Sequence, residues 1–467
     1  MERTMDDEEL DAFGRTFAAF LERVVRRAPG RHHPLIQRLT THLGVDPLGL
    51  PIVSAAFAPF EHPDVQLAVD GYISDVGRTS DAFGLSGGGR RHMDVSELLG
   101  TDHFAIGPVV RTEMPIDVDE TMLCIEFGFV LVDGPADPPH VVVLRVEDVG
   151  PGPILQVDVI SPQTGHANVV LDDLRARMRS TSVYRGKVFA LSRPYDHYER
   201  SVGAAFMRRP TIERDAIVLP PGVLERIERR TIDFDAVAEV LTARGQARKR
   251  GVLLYGPPGS GKTLTARFLI GRLTDRTTIV LTGAGLGAIG AAASLARRLE
   301  PSLLILEDVD LIARERSFDH DNPLLFELLN QLDGIGEDAD VLALLTTNRA
   351  DMLEPALAAR PGRVDLAVEL PAPGVAEQRR LLDLYTRDVD VDLDDWDSVV
   401  DRIVGTPASF VRELVRTAVL HAAHEGQATV RPEHLDTALT ELLDSGPVTP
   451  RLHGIGGSVV EESGDDL

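Results

Sequence analysis

Apolar residues change their spacing twice along the chain. Leu10, Phe13, Phe17, Phe20 and Val24 recur three to four residues apart, which puts them on one face of a helix. Shorter helical patterns follow at Pro34 to Leu43 and Val65 to Asp75, and the stretch Gly84 to Gly89 predicts a loop. Up to about Gly100 the chain therefore reads as a helical region.

From Phe104 to Leu191 the pattern becomes one of strands. Met122 to Val132, His140 to Val146 and Ile154 to Ile160 are short, rich in β-branched residues and separated by glycine and proline. A helix is predicted at Ala167 to Arg179, with Leu171, Leu174 and Met178 on one side, and Ser192 to Arg214 reads as a linker.

From about Ile217 the rhythm is strand, loop, helix. Gly251 to Tyr255 is followed by a glycine loop and a helix at Thr263 to Leu273, and further apolar strands are predicted at Thr278 to Leu281, Leu303 to Leu306 and Val341 to Leu345. Such alternation predicts a parallel sheet covered by helices on both faces. After Pro371 four helices are predicted, at Val375 to Tyr385, Trp396 to Val404, Ser409 to His424 and Pro432 to Leu443, forming a small lid. The tail from Gly446, rich in glycine, serine and acid, predicts disorder. The expected fold class is thus α/β: a P-loop parallel sheet with a C-terminal helical lid and an α+β N-terminal domain. The expected division is 1–100 helical, 101–200 β-rich for partner or substrate binding, 201–371 the large α/β part, 372–446 the lid and 447–467 the tail.

Composition agrees with several domains, because 467 residues exceed the roughly 200 to 250 that a single core holds. The 73 acidic against 48 basic residues give a net charge of −25, which disfavours non-specific attraction to nucleic acid or anionic lipid. Only Lys187, Lys249 and Lys262 are lysines; the arginine bias suggests a high-GC bacterium or a salt-adapted organism. Cys124 is the single cysteine, so no intramolecular disulfide or thiolate zinc site is expected, and its apolar neighbours predict a buried small hydrophobe. His32, His33, His92 and His103 lack metal-ligand spacing and predict surface or structural roles, and the cluster Arg26, Arg27 and Arg31 predicts a solvated helix end. No apolar run reaches the roughly 20 residues of a membrane helix, and the acidic start is unlike a signal or transit peptide. A cytoplasmic protein without a membrane partner is expected.

The strongest chemical signal is Gly256-Pro257-Pro258-Gly259-Ser260-Gly261-Lys262-Thr263, which fits GxxxxGK[ST] between a predicted strand and helix. Its glycines let backbone N–H groups converge on phosphate oxygens, Lys262 reaches the β and γ phosphates, and Thr263 offers a hydroxyl to magnesium. The helix N-terminus adds its positive end. ATP and Mg2+ are the expected ligands. Leu303-Leu304-Ile305-Leu306-Glu307-Asp308 supplies the second strand, ending in two acids, that such a site needs.

With these motifs in order, the chain resembles the AAA family of ATPases over about Ile217 to Leu443, as a single module. Leu328-Leu329-Asn330-Gln331-Leu332-Asp333-Gly334 resembles the family's inter-subunit signalling segment. Thr346-Thr347-Asn348-Arg349 resembles its sensor 1 strand end, where Asn348 would orient the attacking water. Leu353 to Asp365 resembles the second region of homology, whose Arg360 and Arg363 would act as fingers on a neighbouring subunit. The resemblance implies a homo-oligomeric ring, six subunits in the family's usual form, that hydrolyses ATP to remodel or unfold a protein client delivered through the N-terminal region.

Three departures stand against the family pattern. Its strand ends in Asp then Glu; here Glu307 would serve magnesium and Asp308, one methylene shorter, would be the base. Its pore aromatic is replaced, with Ala288-Ile289-Gly290 the nearest equivalent. Thr406-Pro407-Ala408-Ser409-Phe410 stands where the lid commonly has Ser-Gly-Ala-Asp. Before the P-loop, Ile217 and Leu219 either flank adenine or pack in the core. These departures open the alternative of a slow, nucleotide-gated assembly factor that captures and releases a partner without threading it.

Overall fold

The computed structural model describes residues 33–87, 89–101, 104–135, 137–148, 152–192, 202–310, 330–331, 336, 339–349, 364–393 and 395–444. They fall into two compact units, residues 1–183 with 193–204, and residues 184–192 with 205–467.

The first unit is built on one antiparallel sheet. Its strands are β1 (Ile52–Phe57), β2 (Thr79–Ser86), β3 (Ala105–Gly107), β4 (Val110–Pro115), β5 (Thr121–Asp133), β6 (His140–Asp148) and β7 (Pro153–Ile160). The order is β1-β7-β6-β5-β2-β3, with β4 also paired to β5. Helices α1 (Pro34–Leu43), α2 (His62–Ile73), α3 (Val95–Gly100) and α4 (His166–Ser180) complete it.

Successive strand residues face opposite ways, and both faces are covered. Val130, Val132, Val142 and Leu144 pack with Val65, Val69 and Tyr72 of α2 and Leu171 and Leu174 of α4. Their neighbours Phe129, Leu131, Val141 and Val143 pack with Leu35 and Leu39 of α1 and Leu98 and Leu99 of α3. Two covered faces explain why β5 and β6 read as continuous apolar runs.

The helices and central strands fall where the pattern predicted them, but two expectations are corrected. Residues 33–100 are not a separate helical region, since β1 pairs with β7 and β2 with β5. Ser54 to Ala56 of β1 and Thr79 to Ala82 of β2 are small or polar, and tertiary pairing rather than local pattern makes these strands. Gly84, expected in a loop, lies in β2, where a Cβ would sit 2.1 Å from the Pro108 carbonyl oxygen. The predicted helix at Leu10 to Val24, the cluster Arg26, Arg27 and Arg31, His32, His103 and the tail lie outside the described residues. Cys124 is fully buried, and burial pushes its thiol up to about 12. His33 caps α1, its Nδ1 accepting from the Ile36 N–H.

The second unit holds a sheet ordered β14-β10-β13-β12-β11-β8-β9. The strands are β8 (Val188–Ser192), β9 (Gly203–Met207), β10 (Arg250–Tyr255), β11 (Thr277–Thr282), β12 (Ser302–Glu307), β13 (Val341–Thr347) and β14 (Leu366–Glu369). The pairings β14 with β10, β10 with β13, β13 with β12, β12 with β11 and β11 with β8 are all parallel. Helices α5 (Val223–Arg230), α6 (Ile232–Ala236), α7 (Ala238–Ala243), α8 (Lys262–Arg272) and α9 (Ile289–Arg298) accompany it. Leu224 and Ile227 of α5 and Phe268, Leu269 and Ile270 of α8 pack with Val252, Leu254, Leu303, Ile305, Leu342 and Leu344. Ile217 and Leu219 join that core and also line a cavity with Pro220, Leu224 and Arg380. The lid is α10 (Val375–Tyr385), α11 (Asp397–Ile403), α12 (Ala408–His424) and α13 (Pro432–Asp444), around Leu382, Ile403, Leu414 and Leu439.

The boundary expected at residue 200 is also corrected. β8 belongs to the second unit and pairs with β11 through Thr278↔Val188 and Val280↔Ala190. Part of the expected linker is β9. No helix among the described residues is long and apolar enough to cross a membrane.

Candidate functional site

β10 lies between β13 and β14, so the loop that leaves its C-terminal end emerges beside the ends of its neighbours. Gly256 opens that loop at φ 151°, and a Cβ there would lie 2.1 Å from the Leu370 carbonyl oxygen. Glycine alone fits both constraints. Gly259 and Gly261 follow with positive φ, and the chain turns directly into α8. The turn aims the free N–H groups of a helix start into the space above the sheet, the arrangement that favours a phosphate.

Lys262 is buried at 6% exposure. Its Nζ donates to the carbonyls of Gly256 and Pro257 at 2.8 and 2.9 Å. Burial lowers its pKa from the usual lysine range, against the pull of Asp308 and Asp310. The next residue, Thr263, brings its hydroxyl near the Glu307 carboxylate at the end of β12, where it lowers that group's pKa.

Glu307 and Asp308 are adjacent acids in a partly buried place, and both have raised pKa values. For Glu307 the causes are burial and then the Asp308 charge, offset by Arg267 and the Thr263 hydroxyl. For Asp308 they are burial and then Asp310, offset by Lys262 and Asn348. Two carboxylates held so close favour a cation between or beside them. Glu307 and Thr263 offer hard oxygen donors of the kind Mg2+ takes.

Asp308 sits at φ 50°, the one described non-glycine residue with positive φ. Asn348 donates from Nδ2 to Asp308 Oδ1 at 3.3 Å. The lid closes over the same place. A Cβ on Gly259 would lie 2.6 Å from Pro407 Cβ and 2.9 Å from Ser409 Oγ, so the start of α12 rests on the P-loop. The lid departure Thr406 to Phe410 is thereby placed against the phosphate loop. Gln378 holds it there, donating from Nε2 to the carbonyl oxygens of Ile403 and Thr406 at 3.1 and 2.8 Å.

Pro258, Gly259, Gly261, Lys262, Thr263, Asp308 and Asn348 line one cavity of about 440 Å3 together with Arg267, Tyr385 and Arg412. The last three were not singled out in the sequence. An arginine on a helix is ordinarily a solvated side chain, and only packing of the lid shows Arg267 and Arg412 sharing a wall with Lys262. A larger cavity, about 760 Å3, opens in the first unit between α1 and the β2–β5 pair. There Arg38 is already paired with Asp81 at 2.5 Å, and His42 Nδ1 lies 3.5 Å from Asp133. The chemistry, not the volume, marks the smaller one.

Ile289 does not occupy the place expected of a pore residue. Gly283–Ala288 forms a 3-10 turn, α9 begins at Ile289, and both Ala288 and Ile289 are 1% exposed. A Cβ on Gly285 would lie 2.6 Å from the Leu191 carbonyl oxygen, so the turn is packed against the end of β8. Arg360, Arg363 and most of Leu328 to Gly334 lie outside the described residues.

Comparison with known proteins agrees with this geometry. The family model described as "ATPase family associated with various cellular activities (AAA)" matches residues 252–372. The 26S proteasome regulatory subunit 8 of Dictyostelium discoideum is 32% identical over 222 residues, covering 44% of this chain and 55% of its own length. Proteasome-activating nucleotidase 2 of Haloferax volcanii is 31% identical over 248 residues, covering 49% and 59%. The ATP-dependent zinc metalloprotease YME1L of Drosophila melanogaster is 30% identical over 227 residues, covering 46% and 30%. The chain thus spans little more than half the length of the proteasome relatives it matches. The bacterial type expected from the arginine bias is not borne out by these relatives. Residues 252–372, which carry the P-loop, Glu307, Asp308 and Asn348, thus match the AAA family of ATPases.

Proposed function

We propose that this protein binds ATP with magnesium at Gly256 to Thr263, hydrolyses it, and uses the cycle to remodel or unfold a protein client as a homo-oligomeric ring, six subunits by family precedent. The observation that carries the reading is the meeting of Lys262, Thr263, Asp308 and Asn348, from three strand ends, in one cavity. The likeness to proteasome regulatory ATPases supports a protein client, with the first unit as its receptor and the cytoplasm as the place of action. The acidic net charge of −25 argues against a nucleic-acid partner.

Each residue then has a defined task. The N–H groups of the P-loop and the Lys262 ammonium grip the phosphates; Lys262 exchanges its carbonyl partners for phosphate oxygens. Thr263 and Glu307 would hold Mg2+, which when bound neutralises charge on the β and γ phosphates. Asp308 accepts a proton from the attacking water, and Asn348 fixes that water and the carboxylate in one line. Arg360 and Arg363 of an adjacent subunit stabilise the charge of the transition state, which makes hydrolysis depend on assembly.

A second reading is favoured by two features. The buried Ile289 offers no grip to a threaded polypeptide, and Asp308 as a short base implies slow turnover. In that reading nucleotide times the capture and release of a partner without threading.

The test is the steady-state ATPase rate against protein concentration, with Lys262→Ala, Asp308→Asn and Arg363→Ala alongside. A rate that rises cooperatively, is lost in all three variants and is stimulated by an unfolded client supports the remodeller. Tight ATP binding with negligible turnover at every concentration overturns it in favour of the switch.

A further inference from the structure

The pairing of β12 with β13 ends at Leu306↔Leu345. The groups that must meet over the nucleotide, Asp308 and Asn348, lie two and three residues beyond that point, where no strand ladder holds them. The structure shows what replaces it. The Asp308 N–H donates to Thr346 Oγ1 at 3.0 Å, and the Val309 N–H donates to the Thr346 carbonyl at 3.0 Å. On the far side the bonds run through one carboxylate. Asp310 Oδ1 accepts from Thr347 Oγ1 and from the Asn348 N–H, both at 3.0 Å.

We propose that Asp310 is a positioning residue for hydrolysis, acting through Asn348; this rests on the ATPase reading above. Asp310 is 2% exposed and Thr347 fully buried, so neither bond competes with water. A charged acceptor makes each stronger than a neutral one. The Asn348 N–H comes from the same residue whose side chain reaches Asp308. Asp310 therefore sets where the Asn348 backbone lies, and with it where Nδ2 points. Thr347 Oγ1 also accepts from the Arg349 N–H at 2.9 Å, which carries the same anchoring one residue further. Asp308, held at φ 50°, depends on the clasp as well, because that backbone conformation is disfavoured for a residue with a Cβ and persists only when its surroundings fix it.

The hydrogen bonds of Asp310 run to Thr347 and Asn348, while its charge also reaches Lys262, so nucleotide affinity is measured beside the rate. Misplacing a group by about 1 Å costs on the order of a hundredfold in rate, and Asp310→Ala should lower kcat by about that much. The dissociation constant for the fluorescent analogue mant-ATP should stay within about twofold.

The experiment measures kcat, KM and mant-ATP affinity on the full chain for Asp310→Ala, Asn348→Ala and the double variant, with Asp310→Asn as rescue. If Asp310 works through Asn348, the double variant is no worse than the poorer single one to within about threefold, because residues acting as a unit are not additive. Asp310→Asn, which keeps an acceptor oxygen, recovers most of the rate. Should Asp310→Ala fail to give a wild-type melting transition, Thr347→Val makes the same comparison by removing one donor at nearly constant shape. Losses that multiply in the double variant, or a fall in affinity equal to the fall in kcat, overturn the proposal while the ATPase reading stands. Absence of turnover in the unmodified protein overturns both.

Discussion

The hydroxyl of Thr263, one residue after the P-loop lysine, lies near the carboxylate of Glu307 at the end of β12 and opposes the rise that burial gives its pKa. The two come from different elements, and together they present two hard oxygens beside a carboxylate pair that burial leaves short of positive charge. Replacing Glu307 by Gln keeps the shape and removes the charge. ATPase activity titrated with Mg2+ should then need about tenfold or more magnesium for half-maximal rate. An unchanged magnesium requirement would remove Glu307 from the metal.

The order of the two acids sets a second expectation. Asp308 has one methylene fewer than the glutamate the family carries at this place, and Asn348 already spans 3.3 Å to reach it. Exchanging the pair, Glu307→Asp with Asp308→Glu, should raise kcat by about tenfold if reach limits positioning of the water. Single-turnover hydrolysis measures this step directly. A slower exchanged enzyme would mean that the cavity is shaped around the shorter side chain.

Ile289 separates a structural from a client-binding role. With 1% exposure it is buried at the start of α9, so Ile289→Ala should cost about 2 to 5 kcal/mol of stability. The melting temperature should drop while the work done per ATP on a client is unchanged. A stable variant that hydrolyses ATP without remodelling would restore Ile289 to the pore.

Acid should weaken the first unit. His140 is fully buried, its Nδ1 donating to the Pro138 carbonyl at 2.8 Å and its Nε2 accepting from the Tyr72 hydroxyl at 3.1 Å. Burial, chiefly, pushes its pKa down to about 4; the nearby His166 and Arg78 act in the same direction, and Asp137 and the Pro138 bond oppose them. A folded pKa below the unfolded one means that the unfolded chain binds more protons between the two values. Stability is therefore complete above about pH 6.5 and is lost as pH falls toward 4, by up to about 3 kcal/mol for this residue. Hydrogen exchange of β5 and β6 at pH 7 and pH 5 should show the loss in the wild type and a smaller one in His140→Asn. Equal pH dependence in both would assign the effect to other groups.

What could be read from residue order followed from how local the signal was. The P-loop declares itself because strand, glycines, lysine and helix are contiguous, and β5, β6 and β7 declare themselves by long β-branched runs. Asp308 and Asn348 were legible as strand ends with the right residue types. Arg412, Tyr385 and Asp310 were not, because each matters only through a partner many residues away. β1 and β2 were missed for the same reason: Ser54, Ala55, Ala56 and Thr79 to Ala82 have little strand character until β7 and β5 pair with them. Ile289 was misplaced because an aliphatic residue before a glycine looks alike in a pore loop and at a buried helix start.

The strand β8 has a practical consequence for anyone dissecting this protein. A fragment begun at residue 201, where composition invites a cut, would take the P-loop, the acids and the lid but leave residues 184–192 behind. β11 would then lose the neighbour that pairs with Thr278, Ile279 and Val280. An edge with unpaired N–H and C=O groups is a template for sticking to other chains. Such a fragment would aggregate or fail to express for reasons unrelated to catalysis. The smallest self-sufficient piece of the second unit must start no later than Tyr184.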